Sequence, residues 1–199
     1  MVTDLTVPPG VILAGGRARR MGGLDKAFVA LGGRPLIDHV IDRIGPQVSL
    51  LGISANGDPT RFNAERPVLP DTVDGFPGPL AGVLAAMDWA GELGSPWVVT
   101  VPTDTPFLPG TLVARLLDAQ AASAAPIVLA ETPDGLQPIT GLWSAGLSGD
   151  LHATLTAGSF KVTDFTMAHG AVSVPFSERD FFNVNTPEDL ARAEVMLAR

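Results

Sequence analysis

The sequence predicts an α/β protein with a doubly wound, mainly parallel (mixed) sheet, and three observations carry that expectation. Short apolar runs recur at 11–14, 48–54, 97–101 and 126–130, alternating with segments that are apolar at helical spacing. The runs are nearly continuous in apolar residues, as strands covered on both faces must be. Candidate polar groups, at 15–26, 56, 71 and 104, follow apolar runs. That is where a ligand crevice opens in sheets of this kind. The chain has 199 residues and shows no internal repeat, low-complexity tract or linker, so one domain over 1–199 is expected.

Bulk composition narrows the partners. The formal net charge is −8, which speaks against a nucleic acid or an anionic membrane surface. No cysteine is present, so disulfides and Cys-ligated metals are excluded. His39, His152 and His169 are far apart and fit no metal spacing, which leaves them structural or surface roles. The start, Met1–Pro9, lacks the basic and apolar stretches of a secretory signal, and no apolar run reaches the length of a membrane span. A cytoplasmic protein is expected.

Val11-Ile12-Leu13-Ala14 reads as the first buried strand, and it opens the most informative stretch of the chain. Gly15 and Gly16 follow, then Arg17, Arg19 and Arg20, the pair Gly22-Gly23, and Lys26. Glycine admits sharp turns and close backbone approach, freed N–H groups cradle phosphate oxygens, and arginine and lysine add positive charge. The stretch matches neither the P-loop nor the G-x-G-x-x-G pattern. A solvated surface loop is the other reading of the same glycines and cations.

Ala27–Leu31 reads as a short extended segment, and Gly32-Gly33 as a turn. Pro35–Ile44 reads as a helix with Pro35 in its first turn and one apolar face of Leu36, Ile37, Val40, Ile41 and Ile44. Val48–Ser54 is a second strand, with Asn56 just past its carboxyl end, where Asn56-Gly57 is also simply a turn. Pro67–Asp71 reads as a short third strand ending at Asp71. Leu80–Ala90 is a helix of small residues whose start, near Gly78–Gly82, offers free N–H groups and a positive dipole end. It fits a tightly packed core helix as well.

Trp97–Val101 reads as the central strand. It runs into Pro102-Thr103-Asp104-Thr105-Pro106-Phe107-Leu108-Pro109, whose prolines are expected to hold the segment extended and fix Asp104 at the strand end. A hard cation such as Mg²⁺ takes one or two carboxylates plus substrate phosphates, which makes Asp104 the candidate metal ligand; a turn or N-cap aspartate is the alternative. Leu112–Ala122 is a helix, and Pro126–Ala130 and Gln137–Trp143 are strands around the turn Thr132–Gly135, an arrangement that fits an antiparallel pair. Ser148–Ala157 reads as a helix, 158–166 is ambiguous, and Ala171–Phe176 is a late strand. Thr186, Pro187 and Asp189 form a helix start, with Thr186 as N-cap.

L-A-G-G-x-x-x-R-M-G-x-x-K, here Leu13–Lys26, resembles the signature of the MobA-type nucleotidyltransferases. The tighter R-R-M-G-G-x-D-K is similar to their molybdenum cofactor guanylyltransferase branch. The proline-framed Asp104 and F-F-N-V-N-T-P-E-D-L, here Phe181–Leu190, resemble two further motifs of the same family, and the likeness runs from Leu13 to Leu190. Gln137 stands where the family often has histidine. The resemblance implies a Rossmann-like nucleotidyltransferase fold with Mg²⁺ as cofactor and GTP and molybdopterin as substrates. It leaves room for proteins that deliver the molybdenum cofactor and for a monomer or weak homo-oligomer. It further implies that Arg20, Lys26 and Asp104 are catalytic. Nucleotide binding falls to Leu13, Ala14, Gly15, Gly16, Lys26, Asn56, Asp71, Gly82 and Asp104. Acceptor binding falls to Arg20, Gly22 and Asn185, although Asn185-Thr186-Pro187 is also good capping sequence. A CTP- or sugar-phosphate-using enzyme of the same fold and a non-catalytic nucleotide-binding module are the rival readings.

Overall fold

A computed structural model describes residues 7–15, 25–62, 65–72 and 78–198. Its first half contains β1 (Gly10–Leu13), β2 (Ala30–Leu31), β3 (Arg34–Pro35), α1 (Leu36–Ile44), β4 (Leu51–Ser54), β5 (Val68–Leu69), α2 (Pro79–Glu92) and β6 (Trp97–Pro102). Then come α3 (Leu112–Ser123), β7 (Ile127–Thr132), β8 (Gly135–Ser144), α4 (Ser148–Thr156), α5 (Val162–Ala168), β9 (Val172–Pro175) and α6 (Pro187–Leu197). Among the described residues, seven strands form one sheet in the order β5-β4-β1-β6-β8-β7-β9, with β6 at its centre. Neighbours are parallel except at β8, which runs against both β6 and β7. The turn at 132–135 folds β7 onto β8, so the sheet is mixed in the way the sequence foreshadows.

Helices cover both faces because successive strand side chains point to opposite sides. Ile12, Ile53, Val99 and Val101 pack with Ile37, Val40 and Ile44 of α1 and Leu112 and Leu116 of α3. Val11, Leu13, Val98 and Trp143 pack on the other face with Leu80, Val83, Leu84 and Met87 of α2 and Leu151 of α4. α2 is buried continuously from Leu80 to Met87, so its small residues serve close packing. Gly82 makes that approach possible: a Cβ there would stand 2.8 Å from Ser54 Oγ and 3.1 Å from Leu13 Cδ2.

A smaller cluster of Val29, Leu31, Leu36, Val184 and Ala193 joins the β2–β3 hairpin to α6. Gly32, at the hairpin tip with φ +58°, donates its N–H to Glu194 Oε1 at 2.8 Å. The positive φ suits glycine, and a Cβ would stand 2.4 Å from Leu197 Cδ2. The segment that carries Lys26 is thereby tied to the C-terminal helix.

Four local expectations are corrected. Ala27–Leu31 is not extended throughout: a 3₁₀ turn spans Lys26–Phe28, capped by the Asp25 carboxylate, which accepts from the Ala27 N–H at 3.1 Å. Pro35 pairs with Ala30 and precedes the helix rather than entering it. The second strand begins at Leu51, not Val48. Pro102–Pro109 turns instead of staying extended. Proline has no N–H to continue the ladder, and the Thr105 hydroxyl donates back to the Pro102 carbonyl at 3.3 Å.

The β6–β8 pairing carries one buried polar relay. The Trp143 indole N–H donates to Thr100 Oγ1 at 2.8 Å, and that hydroxyl donates to the Ile139 carbonyl at 2.7 Å. Thr100→Val leaves a fully buried indole N–H without its acceptor, which costs about 1–3 kcal/mol. The thermal midpoint should fall by several degrees; an unchanged midpoint would show that the relay contributes nothing.

Candidate active site

The carboxyl ends of β1, β4, β5 and β6 open into a cleft of about 480 Å³. Leu13, Gly15, Lys26, Asn56, Asp71, Gly82 and Asp104 line it, so seven of the sequence-predicted residues share one concavity. Ala14 is buried beside it, its N–H donating to the Ser54 carbonyl at 2.8 Å and continuing the β1–β4 ladder. Gly15 is exposed, and among the described residues a Cβ there would meet nothing within 4 Å, in contrast to Gly82. Gly16, Arg20 and Gly22, together with Arg17 and Arg19, lie outside the described residues.

The Lys26 ammonium is the meeting point of three distant segments. It donates to Asp104 Oδ2 at 2.6 Å and to the side-chain oxygen of Asn185. The side chains are 14% and 21% exposed for Lys26 and Asp104, so the pair is partly shielded yet open to a ligand. Adjacency of β1 and β6 supplies Asp104, and the hairpin–α6 cluster supplies Asn185. The Val184 N–H also donates to the Asp104 carbonyl at 2.9 Å, which holds the two segments in register.

Across the cleft, Asn56 and Asp71 form a second unit. Asn56 Nδ2 donates to Asp71 Oδ2 at 2.6 Å, and the Asp71 N–H donates to Asn56 Oδ1 at 3.0 Å. This reciprocal pair fixes both side chains at the ends of neighbouring strands. Its geometry goes beyond the turn that Asn56-Gly57 alone would make.

The cleft's donor set fits a divalent cation that arrives with phosphates. Among the described lining residues, Asp71 and Asp104 bring two carboxylates against the ammonium of Lys26, a set that a polyanion meets best together with a cation. Magnesium characteristically uses one or two carboxylates and takes its other ligands from phosphate and water. Among the described residues no cluster of three or more acidic or histidine side chains offers an all-protein cage. A wider groove of about 920 Å³, beside Trp89 and Leu93, contains none of the sequence-predicted site residues.

Ser54 and Ile139, which carry no motif, and Thr103, a position without a role of its own in the Asp104 frame, also wall the cleft and were not expected there. Sequence reasoning also missed Arg61. The Arg61 guanidinium pairs with the Asp25 carboxylate, and its NH2 donates to the Asn56 carbonyl at 3.0 Å. The available signal was Asp58-Pro59-Thr60-Arg61, a capped turn that places a cation just after the Asn56 loop.

A MobA-like NTP transferase domain matches residues 10–171. A molybdenum cofactor guanylyltransferase of Cereibacter sphaeroides is 50% identical over 192 residues, covering 96% of this chain and 97% of that protein. Its counterpart in Rhodopseudomonas palustris (strain HaA2) is 46% identical over 205 residues, covering 100% and 96%. The crystal structure of molybdopterin-guanine dinucleotide biosynthesis protein A from Archaeoglobus fulgidus superposes with a TM-score of 0.77 at 22% identity, covering 96% of this chain and 98% of that one. That last likeness bears on the fold alone, a Rossmann-like nucleotidyltransferase sheet.

The shelf that presents Asn185 has its own acid signature. Thr186 caps α6, its hydroxyl accepting from the Asp189 N–H at 3.1 Å, while Asp189 accepts from the N–H groups of Asn185 and Thr186 at 3.1 and 3.0 Å. Burial works against the charged form of Asp189, but those donors outweigh it and hold the carboxyl below its ordinary 3.8. A lowered folded value means that this contribution to stability is complete above 3.8 and is lost as pH falls below it. Asp189→Asn should therefore be less stable near neutrality and show a shallower loss in urea midpoint over the acid range below 3.8. Parallel acid profiles for the two proteins would contradict this.

Proposed function

The chain belongs to the MobA-like NTP transferase family, and on that footing we propose that it transfers GMP from GTP to molybdenum-bearing molybdopterin. A terminal phosphate oxygen of the acceptor forms a bond to the α-phosphorus of GTP. The bond from that phosphorus to the α–β bridging oxygen breaks, and pyrophosphate departs with the electron pair. The observation that carries the reading is the convergence of Lys26 and Asp104, 2.6 Å apart, on a cleft whose far wall bears the Asn56–Asp71 pair.

Transfer between phosphates needs positioning and charge neutralisation more than a covalent nucleophile. Asn56 and Asp71, fixed by each other, line the nucleoside side. The backbone from Leu13 to Gly16 follows the nucleotide, and the bare Cα of Gly15 lets phosphate oxygens approach. Lys26 exchanges its contact with Asp104 for the triphosphate and steadies the leaving pyrophosphate. Asp104 is the residue that would hold Mg²⁺, which supplies charge neutralisation and orients phosphate oxygens when bound. Arg20 joins Lys26 on the phosphates. With Gly22 and Asn185, Arg20 also bounds the acceptor side.

The same reading carries a single catalytic domain and a cytoplasmic setting. Among the described residues no helix is long and apolar enough to cross a membrane.

Pyrophosphate release is to be measured with each nucleoside triphosphate, with and without molybdenum-loaded molybdopterin and Mg²⁺. Release is expected with GTP and acceptor together; equal release with CTP, or none with any nucleotide, would overturn the guanylyl reading. Lys26→Ala and Asp104→Ala should each lower turnover about 100-fold or more with unchanged circular dichroism. A variant that keeps the wild-type rate at saturating Mg²⁺ would remove that residue from the mechanism.

A further inference from the structure

We propose that Arg61 is a positioning residue that sets the nucleotide affinity of this cleft by bracing the Asn56–Asp71 wall against the Lys26 loop. The inference rests on the nucleotide-transfer reading above and adds to it a residue that none of the motifs contains.

Every nitrogen of the Arg61 guanidinium is engaged. Nε donates to the Asp58 carbonyl at 3.0 Å, NH2 donates to the Asn56 carbonyl at 3.0 Å, and NH1 pairs with the Asp25 carboxylate. The group also lies 5.1 Å from the centre of the Phe62 ring, and that ring is buried against Phe28 at 5.4 Å. Planar fork geometry suits such multiple contacts, and lysine cannot reproduce them. The two ends of the brace matter. Asp25 caps the turn that begins at Lys26, and the Asn56 carbonyl belongs to the residue that fixes Asp71.

The two walls depend on the brace unequally. Lys26 is held independently by Asp104 and Asn185. Among the described residues the Asn56 side chain is held by Asp71 alone, and both residues lie just past the carboxyl ends of the short strands β4 and β5 at the sheet edge. Loss of Arg61 therefore loosens the nucleoside wall and leaves the phosphate-facing lysine in place. The expected signature is weaker nucleotide binding with little change in the maximal rate.

The test is isothermal calorimetry of GTP binding to full-length wild type, Arg61→Ala and Arg61→Lys, with steady-state kinetics and thermal melting in parallel. Arg61→Ala should raise the dissociation constant and KM for GTP about tenfold, with kcat within about threefold of wild type and the melting midpoint little moved. Arg61→Lys should fall between them, because it keeps the charge facing Asp25 and cannot keep all three donations. Asp25→Asn keeps the oxygen that caps the Ala27 N–H and removes the charge facing Arg61, so combining it with Arg61→Ala should weaken binding no more than twofold beyond Arg61→Ala alone. Unchanged GTP binding in Arg61→Ala and Arg61→Lys overturns the proposal while leaving the transfer reading intact. A fall in kcat without a change in binding overturns it too. Wild-type protein that binds no GTP defeats the transfer reading and the brace with it. If Arg61→Ala does not fold, Arg61→Lys decides by the same criteria.

Discussion

One ammonium group closes this cleft. Asp104 and Asn185 are 78 and 159 positions from Lys26, yet their side chains meet at Lys26 Nζ. Each arrives by a different device. The lysine follows a turn capped by Asp25, the aspartate ends the central strand where prolines stop the ladder, and the asparagine rides on a capped helix start. A partly shielded charge pair of this kind is weak as a stabiliser, because desolvation offsets much of the attraction. Its value lies in presenting opposite charges to an incoming ligand that satisfies both better than they satisfy each other.

The sheet order is what makes the meeting possible. Placing β1 between β4 and β6 gathers the ends of three parallel strands at one edge of the cleft. The antiparallel β8 then diverts the rest of the chain away, so that β7 and β9 extend the sheet without crowding that opening. α2 lies close over β1 and β4 only because Gly82 has no Cβ. This glycine serves close packing, Gly32 at the hairpin tip serves its positive φ, and Gly15 faces the cleft with no described residue against it.

Much of this was legible in the letters. The alternation of apolar runs with helical segments gave the class, and the end of each run marked the cleft: Asn56, Asp71 and Asp104 all line it. Thr186-Pro187-Asp189 read correctly as a capped start because capping is a local rule. Failures occurred where tertiary contacts overrode local preference. Pro35 is drawn out of its helix by pairing with Ala30, and 102–109 turns because a hydroxyl and a distant N–H supply partners that proline spacing alone does not reveal. Arg61 escaped because its function depends on two carbonyls and a carboxylate that come together only in the fold. The contact of Asn185 with Lys26 likewise needed α6 to dock on the β2–β3 hairpin, which no pattern within either segment encodes.

In the transfer reading one ligand touches the lysine wall and the Asn56–Asp71 wall at once. The most direct measurement is a crystal structure of the protein with a non-hydrolysable GTP analogue and Mn²⁺, read by anomalous scattering. A manganese peak is expected on the Asp104 carboxylate, with triphosphate oxygens within hydrogen-bonding reach of Lys26 Nζ and the nucleoside against Asn56 and Asp71. Nucleotide bound in the groove beside Trp89, or metal bound away from Asp104, would contradict it.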